Sequence, residues 1–417
     1  MRILSVVGAR PQFVKLAPVH RALSGLGVEH LVVHTGQHYD SKLSDIFFEE
    51  FNIPAPIANL TIGSHSHAVQ TAKIIESLEP HIVSQKPDWV LCYGDTNSTL
   101  ACAVVCSKLP FKMAHIEAGL RSKNTFMPEE HNRILTDHCS DLLLAPTNNA
   151  MQHLQNEGLS ERSHLVGDVM IDVLNTAKET VSGDIPSSEK INVQDGQFYL
   201  ATIHRQENTD IDDRLREIID ALSELDLPTY IPSHPRLVKR CKEFDIELNN
   251  GSLRSIDPLS YRELVATVMK AEHIITDSGG LQKESFHLGT PCTTVRTETE
   301  WVETLTGEWN TLVEPKQITD AISRPRPSTE RGFPFGLGDA ANNIALEPYR
   351  AFISDKLPEK QYSLGFLMQS FFTGLGTTMA NFTPVILVSF GVLALSDKME
   401  NGIPLTTLWA FLIGAIA

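Results

Sequence analysis

Two carboxylates lie just past the ends of short apolar runs, where an open parallel sheet presents its chemistry, and a third follows shortly after them. Gly94-Asp95 follows Trp89–Tyr93, and Ile116-Glu117-Ala-Gly119 follows Lys112–His115; Met127-Pro-Glu129-Glu130-His-Asn-Arg133 then opens a helical stretch. Asp95, Glu117 and Glu129 are therefore expected in one cleft, where gathered carboxylates suit acid/base work or the binding of hydroxyl groups. Asp95 taken alone fits a helix cap equally well. Cations face the same region. Arg10 sits in the turn Gly8-Ala-Arg10-Pro11, with Lys15 about one turn later, and two cations beside a helix N-terminus make an anion site. Further on, Phe198–Ile203 leads into His204-Arg205-Gln-Glu207-Asn208, and Thr229–Pro232 leads into Ser233-His234-Pro235-Arg236. His204 suits a phosphate donor or a general acid. Both histidines also fit structural, hydrogen-bonded imidazoles. The most specific signal is Asp277-Ser278-Gly279-Gly280 after His273–Thr276. A hydroxyl and two glycines before a helix let backbone N–H groups approach a diphosphate closely. Glu284, one turn on, is placed for ribose hydroxyls.

Positioning these groups takes parallel sheets. Strand candidates are Ile3–Val7, His30–Val33, Trp89–Tyr93, Lys112–His115, Leu142–Ala145 and His164–Val166. A second series runs Phe198–Ile203, Thr229–Pro232, His273–Thr276, Cys292–Val295 and Thr311–Val313. Continuous apolar strands separated by helical stretches indicate parallel sheets covered on both faces. Ser260-Tyr-Arg-Glu263 reads as a capping box, and Pro11 suits a first helical turn. The Ser-, Gly-, Asp- and Pro-containing stretch 180–197 reads as the region of a domain junction. The expected architecture is α/β: two doubly wound Rossmann-like domains, 1–170 and 171–345, facing a cleft, followed by a hydrophobic helical tail, 346–417. Neither half carries a GxGxxG fingerprint, so no dinucleotide cofactor is expected.

Composition narrows the class further. The 417 residues are 42% hydrophobic and 21% charged, which is globular rather than disordered. A net charge of -16 argues against a general nucleic-acid binder, while leaving room for a local basic cleft. The six cysteines form no CxxC pair, so reduced thiols in a cytoplasmic protein are expected rather than a metal site or disulfides. MRILSVVGARPQ lacks the long apolar stretch of a signal peptide and reads as a first strand.

The far end breaks this pattern. No charged residue occurs from 361 to 396, and the 17 residues after Glu400 are again uncharged. Such a run is long enough to cross a bilayer, which takes about 20 residues, and its Gly, Ser and Thr suit helix contacts in lipid. The full chain is therefore expected to associate with membranes through residues 361–417, or else to aggregate.

Residues 1 to about 345 resemble the non-hydrolysing UDP-N-acetylglucosamine 2-epimerase family. The matching blocks are GARPQFVKLAPV, VHTGQHYD, YGDTNSTLA, HIEAGLRS, MPEEHNRILTD, VGDVMID, HRQENTD, SHPR, TDSGGLQKE and PCTTVRTETEWVET. The resemblance implies the two-domain fold of GT-B glycosyltransferases, no cofactor, and a homodimer. It implies elimination of UDP across C1–C2 to a 2-acetamidoglucal, followed by re-addition. Asp95, Glu117, Glu129 and His204 would then be catalytic, and Arg10, Lys15, His234, Ser278, Gly279, Gly280 and Glu284 would bind the UDP-sugar, with UDP-GlcNAc the leading substrate. Ala9-Arg10-Pro11-Gln12 departs from the family's Thr-Arg-Pro-Glu, and Trp301 stands where many members carry Arg. Both variants also resemble a branch acting on UDP-2,3-diacetamido-2,3-dideoxyglucuronic acid, whose C6 carboxylate Gln12 would accept where Glu would repel it. A GT-B glycosyltransferase is the other enzymatic reading, and a transport or membrane-anchoring protein the reading from another class. The tail resembles an internal stretch of a major facilitator sugar transporter, and the abrupt join reads as a fusion of two reading frames or an artefact of sequence assembly.

Overall fold

The computed structural model describes residues 1–37, 53–181, 191 and 194–356. Its first sheet contains β1 (Arg2–Val7), β2 (Glu29–His34), β3 (Ala58–Asn59), β4 (Trp89–Tyr93), β5 (Lys112–Ile116), β6 (Leu142–Ala145) and β7 (Ser163–Leu165). Their spatial order is β3-β2-β1-β4-β5-β6-β7, and every neighbouring pair is parallel. The second sheet contains β8 (Tyr199–Thr202), β9 (Thr229–Pro232), β10 (Leu253–Ile256), β11 (His273–Thr276), β12 (Cys292–Thr294) and β13 (Asn310–Leu312). It runs β10-β9-β8-β11-β12-β13, again all parallel. The order in which strands are added thus reverses once in each sheet, between β1 and β4 and between β8 and β11. Such switch points leave a crevice at the strands' carboxyl ends.

The central strands form as expected because both of their faces are covered. Every residue of β4, β6 and β11 is buried, and in register Val6 lies beside Val33 and Cys92. Two strands escaped the sequence reading. The two-residue β3 is too short to show a pattern, and β10 alternates Leu253 with the exposed Arg254 at a sheet edge. The capping box forms: the Ser260 Oγ accepts from Glu263 N at 3.3 Å, and the Glu263 carboxylate accepts from Ser260 N at 2.7 Å. Pro11 occupies the first turn of helix Arg10–Gly25.

A shared apolar seam keeps the two sheets together. Leu143 and Leu154 from the first lobe pack in one cluster with Ile171 and Leu174 of helix Val169–Val181 and with Phe286, Trp301 and Phe335. The Phe335 ring stands edge-on to both Phe286 and Trp301, at 5.9 and 5.8 Å. Truncating such a side chain typically costs about 3–5 kcal/mol. All six cysteines are free; five are buried, and Cys139 is half-buried.

The chain divides after Ala345. The uncharged run 361–396 and its expected membrane helix lie outside the described residues, as does most of the stretch 180–197. Among the described residues, no helix is long and apolar enough to cross a membrane.

Candidate active site

A cleft of about 830 Å³ opens at the carboxyl ends of β1, β4 and β5 on one side and β8 and β11 on the other. Of the sequence-predicted residues, Lys15, Asp95, Glu117, Glu129, His204, Ser278, Gly279 and Gly280 line it together. Arg10 opens its helix at the same end of β1, but its side chain lies outside the described part.

On the first lobe each carboxylate has a distinct partner. Lys15 Nζ bonds Glu117 Oε2, and both side chains are buried. Gly94 makes room for that pair, since a Cβ there would sit 3.3 Å from Glu117 Oε2 and 3.7 Å from Lys15 Nζ. Glu117 itself is held at φ +74°, a conformation costly for a residue with a side chain. Asp95 receives Arg133 through Nε at 3.0 Å and Nη2 at 2.6 Å. It does not cap the following helix, because Thr96 is the cap residue. The adjacent glutamates separate. Glu129 faces the cleft, whereas Glu130 is buried, accepting from Ser122 N and Lys123 N at 2.9 Å and from Arg133 at 3.0 Å. Burial works against its charge, but these donors hold the Glu130 carboxyl below the usual carboxylate range. Successive helical residues point about 100° apart, so two neighbours rarely share one task.

Beneath this layer, the fully buried Asp137 binds three donors: His115 Nδ1 at 2.6 Å, Arg121 Nη2 at 2.8 Å and Gly119 N at 3.0 Å. The other nitrogen of His115 lies 2.7 Å from the Gly94 carbonyl oxygen. Asp137 therefore braces the turns that carry Asp95 and Glu117.

The second lobe supplies the turn after β8 and a glycine-led helix start. The fully buried Asp277 accepts from His204 N at 3.0 Å, Arg205 N at 2.9 Å and Asn208 Nδ2 at 3.2 Å, which shapes the turn after β8. Ser278 Oγ caps helix Gly279–Leu288 through Leu281 N. A Cβ on Gly279 would come within 2.6 Å of Glu300 Oε1, so a larger residue there would have to displace the Glu300 carboxylate. His234 is outside the cleft lining; its Nδ1 accepts from Arg236 N, and its ring lies 5.4 Å from that of His204. Glu284 is also outside it, buried, with the Tyr261 hydroxyl donating to it at 3.0 Å. Burial pushes the Glu284 carboxyl above its ordinary value.

Two expectations need correction or extension. Gln12 cannot serve a sugar carboxylate, because its amide is buried and fully used. Its Oε1 accepts from Gly8 N and Ala9 N at 2.7 and 3.0 Å, and its Nε2 donates to the Tyr93 carbonyl at 2.6 Å. The sequence reading also passed over Lys283. Its Nζ pairs with the fully buried Asp168, lies 3.7 Å from Glu117 Oε1 and sits 3.5 Å above the Trp301 ring. Burial opposes both charges. Even so, Lys283 and Lys15 hold Asp168 below its ordinary value, and Asp168 and Glu117 raise Lys283. Nothing local marks this lysine beyond its place next to Glu284 in the TDSGGLQKE block. Among the described residues, no group of three or more His, Cys, Asp or Glu is arranged to hold a metal.

Two doubly wound lobes, a glycine-led helix start on one and a carboxylate trio on the other, define a GT-B type nucleotide-sugar enzyme. The chain belongs to the UDP-N-acetylglucosamine 2-epimerase family, whose model matches residues 21–346. It is 44% identical over 351 residues to a UDP-N-acetylglucosamine 2-epimerase homolog of Methanococcus maripaludis, covering 82% of this chain and 98% of that one. It is also 44% identical over 356 residues to the UDP-2,3-diacetamido-2,3-dideoxy-D-glucuronate 2-epimerase of Pseudomonas aeruginosa, covering 83% and 98%. Among solved structures it is similar to the Methanocaldococcus jannaschii UDP-GlcNAc 2-epimerase in complex with UDP-GlcNAc and UDP. The TM-score is 0.76 at 37% identity, over 83% of this chain and 99% of that one.

Proposed function

We propose that this enzyme interconverts UDP-GlcNAc and UDP-ManNAc by eliminating UDP and adding it back. The observation that carries the reading is the joint placement of Asp95, Glu117 and Glu129 opposite the Ser278–Gly280 helix start in one cleft. A carboxylate takes the C2 proton while the C1–O bond breaks, and its electrons leave on the diphosphate of UDP. The resulting 2-acetamidoglucal turns over, and the reverse steps protonate C2 on its other face. Proton delivery to two faces requires more than one carboxylate, which three supply. The N–H groups of Gly279 and Gly280 receive the diphosphate, with His204, Arg10 and Lys15 as further donors and His234 supporting the His204 ring. Glu284 takes the ribose hydroxyls, oriented by Tyr261. Glu284→Ala should accordingly weaken UDP binding by about 1–3 kcal/mol, the usual loss for a hydrogen bond to a charged acceptor. Calorimetry with UDP alone measures it, and an unchanged affinity takes Glu284 out of the site.

The equal similarity to the Pseudomonas enzyme supports a second substrate, the diacetamido-glucuronate. Incubating the purified chain with each UDP-sugar decides between them. An equilibrium mixture of C2 epimers from UDP-GlcNAc supports the first substrate, and one formed only from the uronate supports the second. Sugar transfer to an added acceptor, without epimers, would replace both with a glycosyltransferase. Residues 1–345 fit a cytoplasmic homodimer in this reading, and sedimentation measures the association.

A further inference from the structure

Glu117 is gripped from both lobes. Lys15, on the helix after β1, bonds one of its oxygens, and Lys283, on the helix after β11, stands 3.7 Å from the other. Lys283 has little freedom of its own. Asp168 bonds its ammonium group, the Trp301 ring lies beneath it, and only 3% of the residue is exposed. An ammonium held by a carboxylate and an aromatic face at once keeps its place more firmly than by either alone. An arginine at position 301 would instead set a second cation against it.

We propose that Lys283 is a positioning residue for the epimerisation: it fixes the rotamer of Glu117 from across the cleft, with Asp168 and Trp301 as its seat. The inference rests on the epimerase reading. Glu117 then has its full set of contacts only when the second lobe is docked on the first, so proton transfer is coupled to cleft closure. Lys283 lines the cleft beside Gly279 and Gly280, but in this arrangement it acts through Glu117, since its ammonium group is held by Asp168 and turned toward Glu117.

The experiment compares wild type, Lys283→Met, Lys283→Arg and the double variant Lys283→Met/Asp168→Asn, the last removing both buried charges together. Epimerisation kinetics, UDP affinity by calorimetry and thermal unfolding are measured for each. Lys283→Met and the double variant should lose about 10- to 100-fold in kcat, the scale of a misplaced reacting group, with UDP affinity unchanged. Lys283→Arg, which keeps charge and reach, should recover most of that loss. A double variant with wild-type kcat would show that Lys283 only neutralises Asp168 and would overturn the proposal. So would a loss of kcat matched by equal losses of UDP affinity and stability. Wild type inactive on either UDP-sugar would overturn the epimerase reading, and this inference with it.

Discussion

Asp95→Asn, Glu117→Gln and Glu129→Gln are each expected to cut turnover by about 100-fold or more while leaving UDP affinity nearly intact. General acid/base help contributes about 10²- to 10⁴-fold, so losing one proton carrier falls at the lower end or beyond. The amides preserve shape, which separates chemistry from packing. The effect on binding is small in the proposed reading, which assigns the diphosphate mainly to the Gly279 helix start and the turn at His204 on the second lobe, whereas all three carboxylates belong to the first. Asp95→Asn also deprives Arg133 of a charged partner, so its unfolding midpoint should be read beside its kcat. Steady-state rates and UDP calorimetry on the three variants provide the test. Near-normal turnover in all three would remove the carboxylates from the mechanism.

The largest stability effect is expected at a residue that never meets substrate. Asp137→Ala should destabilise the fold by about 3–5 kcal/mol, the range for removing one partner of a buried ion pair. Asp137 has no exposed surface, and its loss strands His115 Nδ1, Gly119 N–H and one arm of Arg121 together. Burial disfavours the aspartate's charge, yet His115 and Arg121 outweigh it and hold the carboxyl below its ordinary value. A depressed carboxyl stabilises the fold fully above the ordinary aspartate value of about 4, and that stability is lost as acid titrates the folded group. Urea unfolding should therefore show the wild-type advantage over Asp137→Ala at neutral pH and its shrinkage on acidification. Equal midpoints for the two proteins at neutral pH would show that the brace carries no weight.

Much of this site was legible because an open parallel sheet delivers its loops to one end. Knowing that Trp89–Tyr93 and His273–Thr276 were buried strands was enough to put Asp95 and Ser278 at a cleft. The choice between a cap and a cleft residue for Asp95 was not legible, since Thr96 next to it is an equally good cap. Nor was the use of Gln12, whose amide is consumed by backbone groups of its own turn and of Tyr93, 81 residues away. The Lys283–Asp168 pair joins positions 115 residues apart. Only docking of the two lobes creates that contact, so no local pattern announces it. The short edge strands β3 and β10 were missed for the opposite reason: they carry too little periodicity to read.

The buried thiols give the molecule a set of internal clocks. Cys92, Cys102 and Cys106 lie in the core of the first sheet, and Cys241 and Cys292 in that of the second. Burial pushes the Cys241 thiol up to about 11 and the Cys292 thiol to about 12, leaving almost no thiolate to react while the core stays shut. An alkylating reagent therefore modifies these positions only when the surrounding layer opens, at a rate set by that opening. Mass-resolved labelling would time the breathing of each lobe separately, with no probe added to the protein.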